Sequence, residues 1–254
     1  MTPQSMSIDA IRADLQRFPE PLHLPLRYNS LGSPYVTIET DGATVARLAH
    51  DSVVNAFRRV MLDPLRGLVM LMSPSSRHED LAIATDGLIE AITRAMRIGC
   101  TPLRATRWGD DNQGMVEADE SYYVGAKADA YLAAKRVGLQ AGERFTREHA
   151  PDLVVEATIT HYDAYKLEAY KRLGVTEYWQ LKADKRKDLL KEADVLLMEV
   201  QSDTAIAVSG LLPEVTPALL VECLNKLNVT SRHEWHEVVN QVLRARGIIS
   251  IDHN

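Results

Sequence analysis

Pro151–Gln180, PDLVVEATITHYDAYKLEAYKRLGVTEYWQ, is the stretch on which the fold is decided. An apolar run, Leu153-Val154-Val155, leads into a single acid, Glu156. Ala157-Thr158-Ile159-Thr160 then keeps the β-branched character of a strand. A carboxylate in the middle of a buried strand is costly unless it is paired or holds a metal. From about Tyr162 to Leu173 the spacing predicts a helix, with Lys166 and Tyr170 four apart on one face. Gly174 closes that helix as a C-terminal cap, and Glu177-Tyr178-Trp179-Gln180-Leu181 follows as a second strand. The whole is a βαβ-like unit carrying a small polar constellation.

Upstream of this unit, Gly138 to Ala150 reads as a polar connection and Ala126 to Val137 as a short helix or an ordered loop. Two strands are expected before them, Thr101 to Trp108 and Met115 to Tyr123, joined by the turn-rich GDDNQG. The second carries Glu117, Asp119 and Glu120. Arg77 to Ile98 has helical spacing through Leu81, Ala84, Leu88, Ile92 and Met96, with Glu79 in its first turn and Gly99 at its end. Gly67 to Met72 is a compact apolar strand. Thr44 to about Met61 has helical spacing that Pro64 ends. Residues 1–42 form an irregular lead-in with one short strand, Tyr35 to Glu39.

Downstream, Lys182 to Asp194 is a charged, solvated loop or hairpin tip. Val195 to Val200 and Thr204 to Val208 read as a hairpin pair. Pro213 to Leu227 and His233 to Arg246 read as helices. No internal repeat is present. The alternation of strands and helices predicts an α/β fold, a central mixed β-sheet flanked by helices. The expected division is a lead-in over 1–42, a main domain over 43–227 and a C-terminal helical extension over 228–254.

The 254 residues are 46% hydrophobic and 25% charged, which is ordinary globular material long enough for one sizeable domain. The net charge of −6 argues mildly against tight nonspecific DNA affinity and leaves room for a local basic groove. Cys100 and Cys223 have no CxxC spacing, so neither a disulfide framework nor a zinc ribbon is expected, and a reducing cytoplasm is. The N-terminus shows no basic segment followed by an apolar core, and runs such as Leu68–Met72 are too short to span a bilayer. No membrane association is expected. His233-Glu234-Trp235-His236 lacks the spacing of a zinc-binding HExxH helix and reads as a helix surface.

Four polar residues stand where a bland core would be apolar: Glu79, Asp119, Glu156 and Lys166. Two carboxylates on neighbouring strands can hold Mg²⁺, which keeps several of its waters. A metal so held polarises a phosphoryl oxygen and lowers the pKa of a bound water. A nearby lysine can orient that water or stabilise transition-state charge. Pro151-Asp152 ahead of Glu156 looks like a ready-made PD…E motif, but geometry opposes it. Four residues of extended chain separate the two acids by roughly 13 Å at about 3.3 Å per residue, too far for one Mg²⁺ to bridge readily. Asp119, on another strand, has no such limit.

Four segments together resemble the Uma-two family of endonucleases, within the PD-(D/E)XK, restriction-endonuclease-like superfamily. They are MSPSSRHE (Met72 to Glu79), EADESYYV (Glu117 to Val124), PDLVVEATIT (Pro151 to Thr160) and KLEAYKRLGVTEYW (Lys166 to Trp179). The likeness runs from about Leu68 to Leu224. It implies a restriction-endonuclease-like core and Mg²⁺-dependent, or Mn²⁺-dependent, hydrolysis of DNA phosphodiesters, carried out by a homodimer. Asp119 takes the place of the family's first metal-binding acid and Glu156 of the second. Lys166 takes the place of the lysine moved to the following helix, and Glu79 of the acid from the early helix. Two departures stand out. Ala118 precedes the first acid where the family has proline, and Thr158 occupies the superfamily's strand-lysine position. The second departure keeps another class open, a nuclease fold retained as a nucleic-acid or protein interaction module without efficient cleavage.

Overall fold

The structure, a computed structural model, describes residues 26–28, 34–48, 59–72, 76–110, 114–158, 163–182 and 189–249. The chain begins with strands β1 (Leu26–Tyr28) and β2 (Pro34–Glu39), helix α1 (Gly42–Leu48), and strands β3 (Arg59–Asp63) and β4 (Leu68–Met72). Helix α2 (Ser76–Met96) leads to β5 (Cys100–Pro102), β6 (Arg107–Asp110), β7 (Gly114–Glu117) and β8 (Glu120–Val124). Helices α3 (Ala126–Val137) and α4 (Leu139–Glu148) precede the unit β9 (Leu153–Thr158), α5 (Asp163–Leu173), β10 (Glu177–Lys182). Strands β11 (Val195–Glu199) and β12 (Thr204–Ala205) and helices α6 (Pro217–Leu227) and α7 (Trp235–Ala245) complete it.

These strands form two six-stranded sheets. The first, in the order β1-β2-β4-β3-β7-β6, is antiparallel throughout. The second, β12-β11-β10-β9-β8-β5, is mixed, because β9 and β10 run parallel while their other neighbours are antiparallel. The parallel pair is the expected βαβ unit, and its strands are apolar on both faces, as buried parallel strands must be. Side chains alternate along them. Leu153, Val155, Trp179 and Leu181 join a core under α2, α6 and α7, which includes Leu88, Ile92, Leu220 and Val242. Val154 and Tyr178 face the other way, toward Ala169 and Tyr170 of α5, Ala128 of α3, and Met61, Trp108 and Val116 of the first sheet. The second sheet is therefore the central layer, with helices on one side and α3, α5 and the first sheet on the other. The fold is α/β, a central mixed sheet flanked by helices.

Local chemistry explains the element ends that matter. Gly174 adopts φ +84°, the left-handed conformation glycine tolerates, and Val175 N donates to Tyr170 O at 3.0 Å, so α5 ends abruptly and β10 can begin. Thr216 caps α6 by accepting from Leu219 N at 3.2 Å, with Pro217 at the first helical position. α5 is tied to the first sheet by Arg172, which donates at 2.8 Å to the fully buried Asp63 at the end of β3.

Several boundaries differ from expectation. Of the helix expected over Thr44 to Met61, Gly42–Leu48 is helix, 49–58 lie outside the described residues, and Arg59–Asp63 is strand. Val60, Met61 and Leu62 are buried in succession, so both faces of that segment are covered, a pattern that helical periodicity imitates over a short run. Thr101 to Trp108 divides into β5 and β6, which belong to different sheets. Met115 to Tyr123 divides at Ala118-Asp119, where the chain leaves the first sheet and enters the second. Gly138 to Ala150 contains helix α4, held by Phe145, whose ring meets Tyr123 edge-on at 5.4 Å between centroids. The second strand of the C-terminal hairpin is only Thr204–Ala205, and α6 starts at Pro217. The lead-in contributes β1 and β2 to the first sheet. The C-terminal segment contributes α7, whose Val239, Val242 and Leu243 belong to the main core. The Trp235 ring lies so close to Gly87 of α2 that a Cβ there would come within 2.4 Å of its Cε3. Among the described residues no helix is long and apolar enough to cross a membrane.

Candidate functional site

Glu156 lies on the face of β9 that looks toward α5, two residues beyond Val154. The β8–β9 ladder pairs Tyr122 with Leu153, Ser121 with Val154 and Glu120 with Val155. Continued by one step, that register sets Asp119 opposite Glu156, where cross-strand Cβ atoms are about 5 Å apart. Asp119 is just outside β8, and its side chain takes over the ladder: Oδ2 accepts from Ala157 N at 2.8 Å. Both acids are buried, at 1% and 2% exposure.

α5 addresses both oxygens of Glu156. Lys166 Nζ donates to Oε2 at 2.5 Å, and the Tyr170 hydroxyl donates to Oε1. The two donors are one helical turn apart, as their spacing in the sequence requires. Lys166 also reaches Glu117 O at 3.3 Å, so its ammonium bridges the end of β7 and the middle of β9. Burial pushes the Glu156 carboxyl up to about 7; Lys166 opposes the rise and Asp119 adds to it. Burial, followed by the Glu156 carboxylate, raises the Tyr170 phenol well above its ordinary value, so it remains a donor.

Asp119 has a partner that the sequence had not suggested. His78, 3% exposed, brings Nε2 to within 2.9 Å of Asp119 Oδ2 from the first turn of α2. The signal was present in the helical phase. His78, Ala82, Thr85, Ile89 and Ile92 recur at intervals of four and three and are all buried. Glu79 is next to that face and partly exposed, with Oε1 3.8 Å from His78 Nδ1. The structure thus brings Asp119, Glu156 and Lys166 together and sets Glu79 beside them through His78. Glu117 contributes its main-chain oxygen to Lys166, while its carboxylate accepts from Val60 N at 2.8 Å and stands 3.7 Å from Arg107.

Asp152 is engaged elsewhere. Its Oδ2 accepts from Val124 N at 2.8 Å and its Oδ1 pairs with Lys127 at 2.7 Å, at the opposite end of β8 from Asp119. His233 and His236 do not converge: the first meets Ser231 Oγ at 2.8 Å, the second lies 3.8 Å from Glu90 on α2.

Among the described residues no group of three or more His, Cys, Asp or Glu side chains is arranged as a metal cage. A divalent ion held by Asp119 and Glu156 would complete its shell with water and main-chain oxygen, the manner in which Mg²⁺ is usually held. The donor set fits such an ion. Two buried carboxylates lie side by side, one with its proton affinity raised by burial and by the other, and a cation relieves both effects. The chain matches no protein-family model and no curated protein.

Proposed function

We propose that the chain is a Mg²⁺- or Mn²⁺-dependent endonuclease that hydrolyses DNA phosphodiester bonds. The observation that carries this is the register of β8 on β9, which sets Asp119 opposite Glu156, with Lys166 on the second acid. Asp119 and Glu156 would hold the ion. Bound there, it would supply an acidified water and a polarised phosphoryl oxygen. The chain's own part is preorganisation. Ala157 N and His78 orient Asp119, and Tyr170 orients Glu156. Lys166 Nζ keeps a positive charge where negative charge builds on the phosphoryl oxygens, and such a charge needs no reorganisation during reaction. The likeness to the Uma-two endonucleases supports the same function, and with it a homodimer. A cytoplasmic setting accords with Cys100 and Cys223 as free thiols.

Purified protein incubated with plasmid should nick it in Mg²⁺ or Mn²⁺ and lose that activity to chelator. Failure to cut duplex or single-stranded DNA with either metal, together with no ion uptake by calorimetry, would refute the proposal. Light scattering should return twice 28.4 kDa at micromolar concentration; the monomer mass alone would count against pairing. The second reading, an interaction module of the same fold, draws on the engagement of both Glu156 oxygens by Lys166 and Tyr170. It predicts DNA or protein binding without cleavage.

A further inference from the structure

We propose that His78 is a positioning residue that holds the Asp119 carboxylate in register with Glu156 for cation binding. The inference rests on the metal reading above and deepens it. Asp119 follows β7 and precedes β8, so the strand ladder does not fix it as it fixes Glu156. One hydrogen bond, from Ala157 N at 2.8 Å, attaches its Oδ2 to β9. The second contact comes from a different element: His78 Nε2 reaches the same oxygen at 2.9 Å from α2. Contacts from two elements, a hydrogen bond from β9 and the imidazole edge from α2, meet on that one oxygen and limit where it can move.

The position of His78 carries a cost that packing alone does not explain. It occupies the stripe of α2 that continues through Ala82, Thr85, Ile89 and Ile92, where an aliphatic side chain would bury equally well. A buried imidazole there is accounted for by the carboxylate it meets. Metal-binding side chains are commonly oriented in this way by a further hydrogen-bonding group, whose loss typically costs 10–100-fold in metal affinity.

The test compares His78→Leu, which keeps the bulk and removes the polar contact, with His78→Gln, whose amide restores a polar group at similar reach. Mn²⁺ and Mg²⁺ binding is measured by titration calorimetry on the full chain, and folding by thermal melting without metal. His78→Leu should bind Mn²⁺ roughly 10–100-fold more weakly, and His78→Gln should recover most of that loss. His78→Leu binding within twofold of wild type overturns the inference. So does His78→Gln binding as weakly as His78→Leu while melting with the wild type. Should His78→Leu fail to fold, the His78→Gln comparison with wild type decides alone: near-wild-type affinity supports the role and a tenfold loss overturns it. A wild-type chain that takes up neither ion overturns the metal reading itself, and this role with it.

Discussion

Glu156→Gln replaces a buried carboxyl with an amide of nearly the same shape, and the structure fixes how stability should respond to pH. Burial and Asp119 raise the Glu156 pKa from 4.5 to about 7 against the opposing pull of Lys166. At pH 4 the group is largely protonated in both folded and unfolded chains. Between about 4.5 and 7 the unfolded chain releases the proton and the folded chain retains it, so wild-type stability falls as pH rises. Above about 7 both states are ionised and the loss levels off. At about 1.4 kcal/mol per pH unit, the full loss comes to about 3 kcal/mol. The amide does not titrate. At pH 4 the folded carboxyl is already protonated, so acid and amide both leave Lys166 beside a neutral group and the offset between the two proteins there comes from hydrogen bonding alone. The informative quantity is therefore the difference between the two proteins, not either value alone. Urea unfolding followed by tryptophan fluorescence, in steps from pH 4 to pH 8, should show the wild-type advantage shrinking by about 3 kcal/mol. Parallel stability profiles across that range would refute the electrostatic account of the site.

Lys166→Met leaves a buried Glu156 without its ammonium, so the acid holds its proton to still higher pH. Urea melts should show a larger stability loss at pH 8 than at pH 5, and plasmid nicking should slow by about a hundredfold or more. Equal melts at both pH values with an unchanged rate would return Lys166 to a passive role. Asp152→Asn weakens the bond from Val124 N and the pair with Lys127. It should lower stability by about 1–3 kcal/mol while calorimetry finds ion binding within twofold of wild type; abolished binding would move the site to Asp152. Gly87→Ala drives a Cβ to 2.4 Å from the Trp235 ring. The overpacking should cost about 1–3 kcal/mol, outweighing the better helix propensity of alanine, and a higher melting temperature than wild type would contradict that packing.

The βαβ unit was legible because its signals are local and agree. Leu153-Val154-Val155 is apolar on both faces, Gly174 has the φ that a helix stop requires, and Lys166 and Tyr170 share a helical face whatever the tertiary structure. Asp119 could be placed beside Glu156 because it matches the first acid of the resembled family and because an acid on a neighbouring strand can lie about 5 Å away across a sheet, which Asp152 on the same strand cannot. Its position in a break between strands could not be read. Met115 to Tyr123 is uniformly strand-like, and the change of sheet at Ala118-Asp119 is decided by long-range pairing of β7 with β3 and of β8 with β9. His78 was passed over for Glu79 because an acid in a first helical turn attracts attention, while the inward phase of α2 shows only when His78 is counted with Ala82, Thr85 and Ile89. α4 was missed because its sequence, LQAGERFTRE, is mostly polar. Its order comes from the packing of Phe145 on Tyr123 and Tyr131, partners that a local window does not contain.

The passage of the chain from one sheet to the other at Ala118-Asp119 has a consequence for the order of assembly. Glu156 arrives with β9 and can form as soon as the parallel pair docks. Asp119 does not, since it is suspended between β7, anchored to β3, and β8, anchored to β9. Lys166 adds to the same dependence by touching Glu117 O on one side of the crossing and Glu156 on the other. A folding intermediate that holds β9 and β10 before β8 has joined them would carry the second acid without the first opposed to it. Cation affinity would then appear only when β8 pairs with β9, and would serve as an internal gauge that this half of the central sheet has closed.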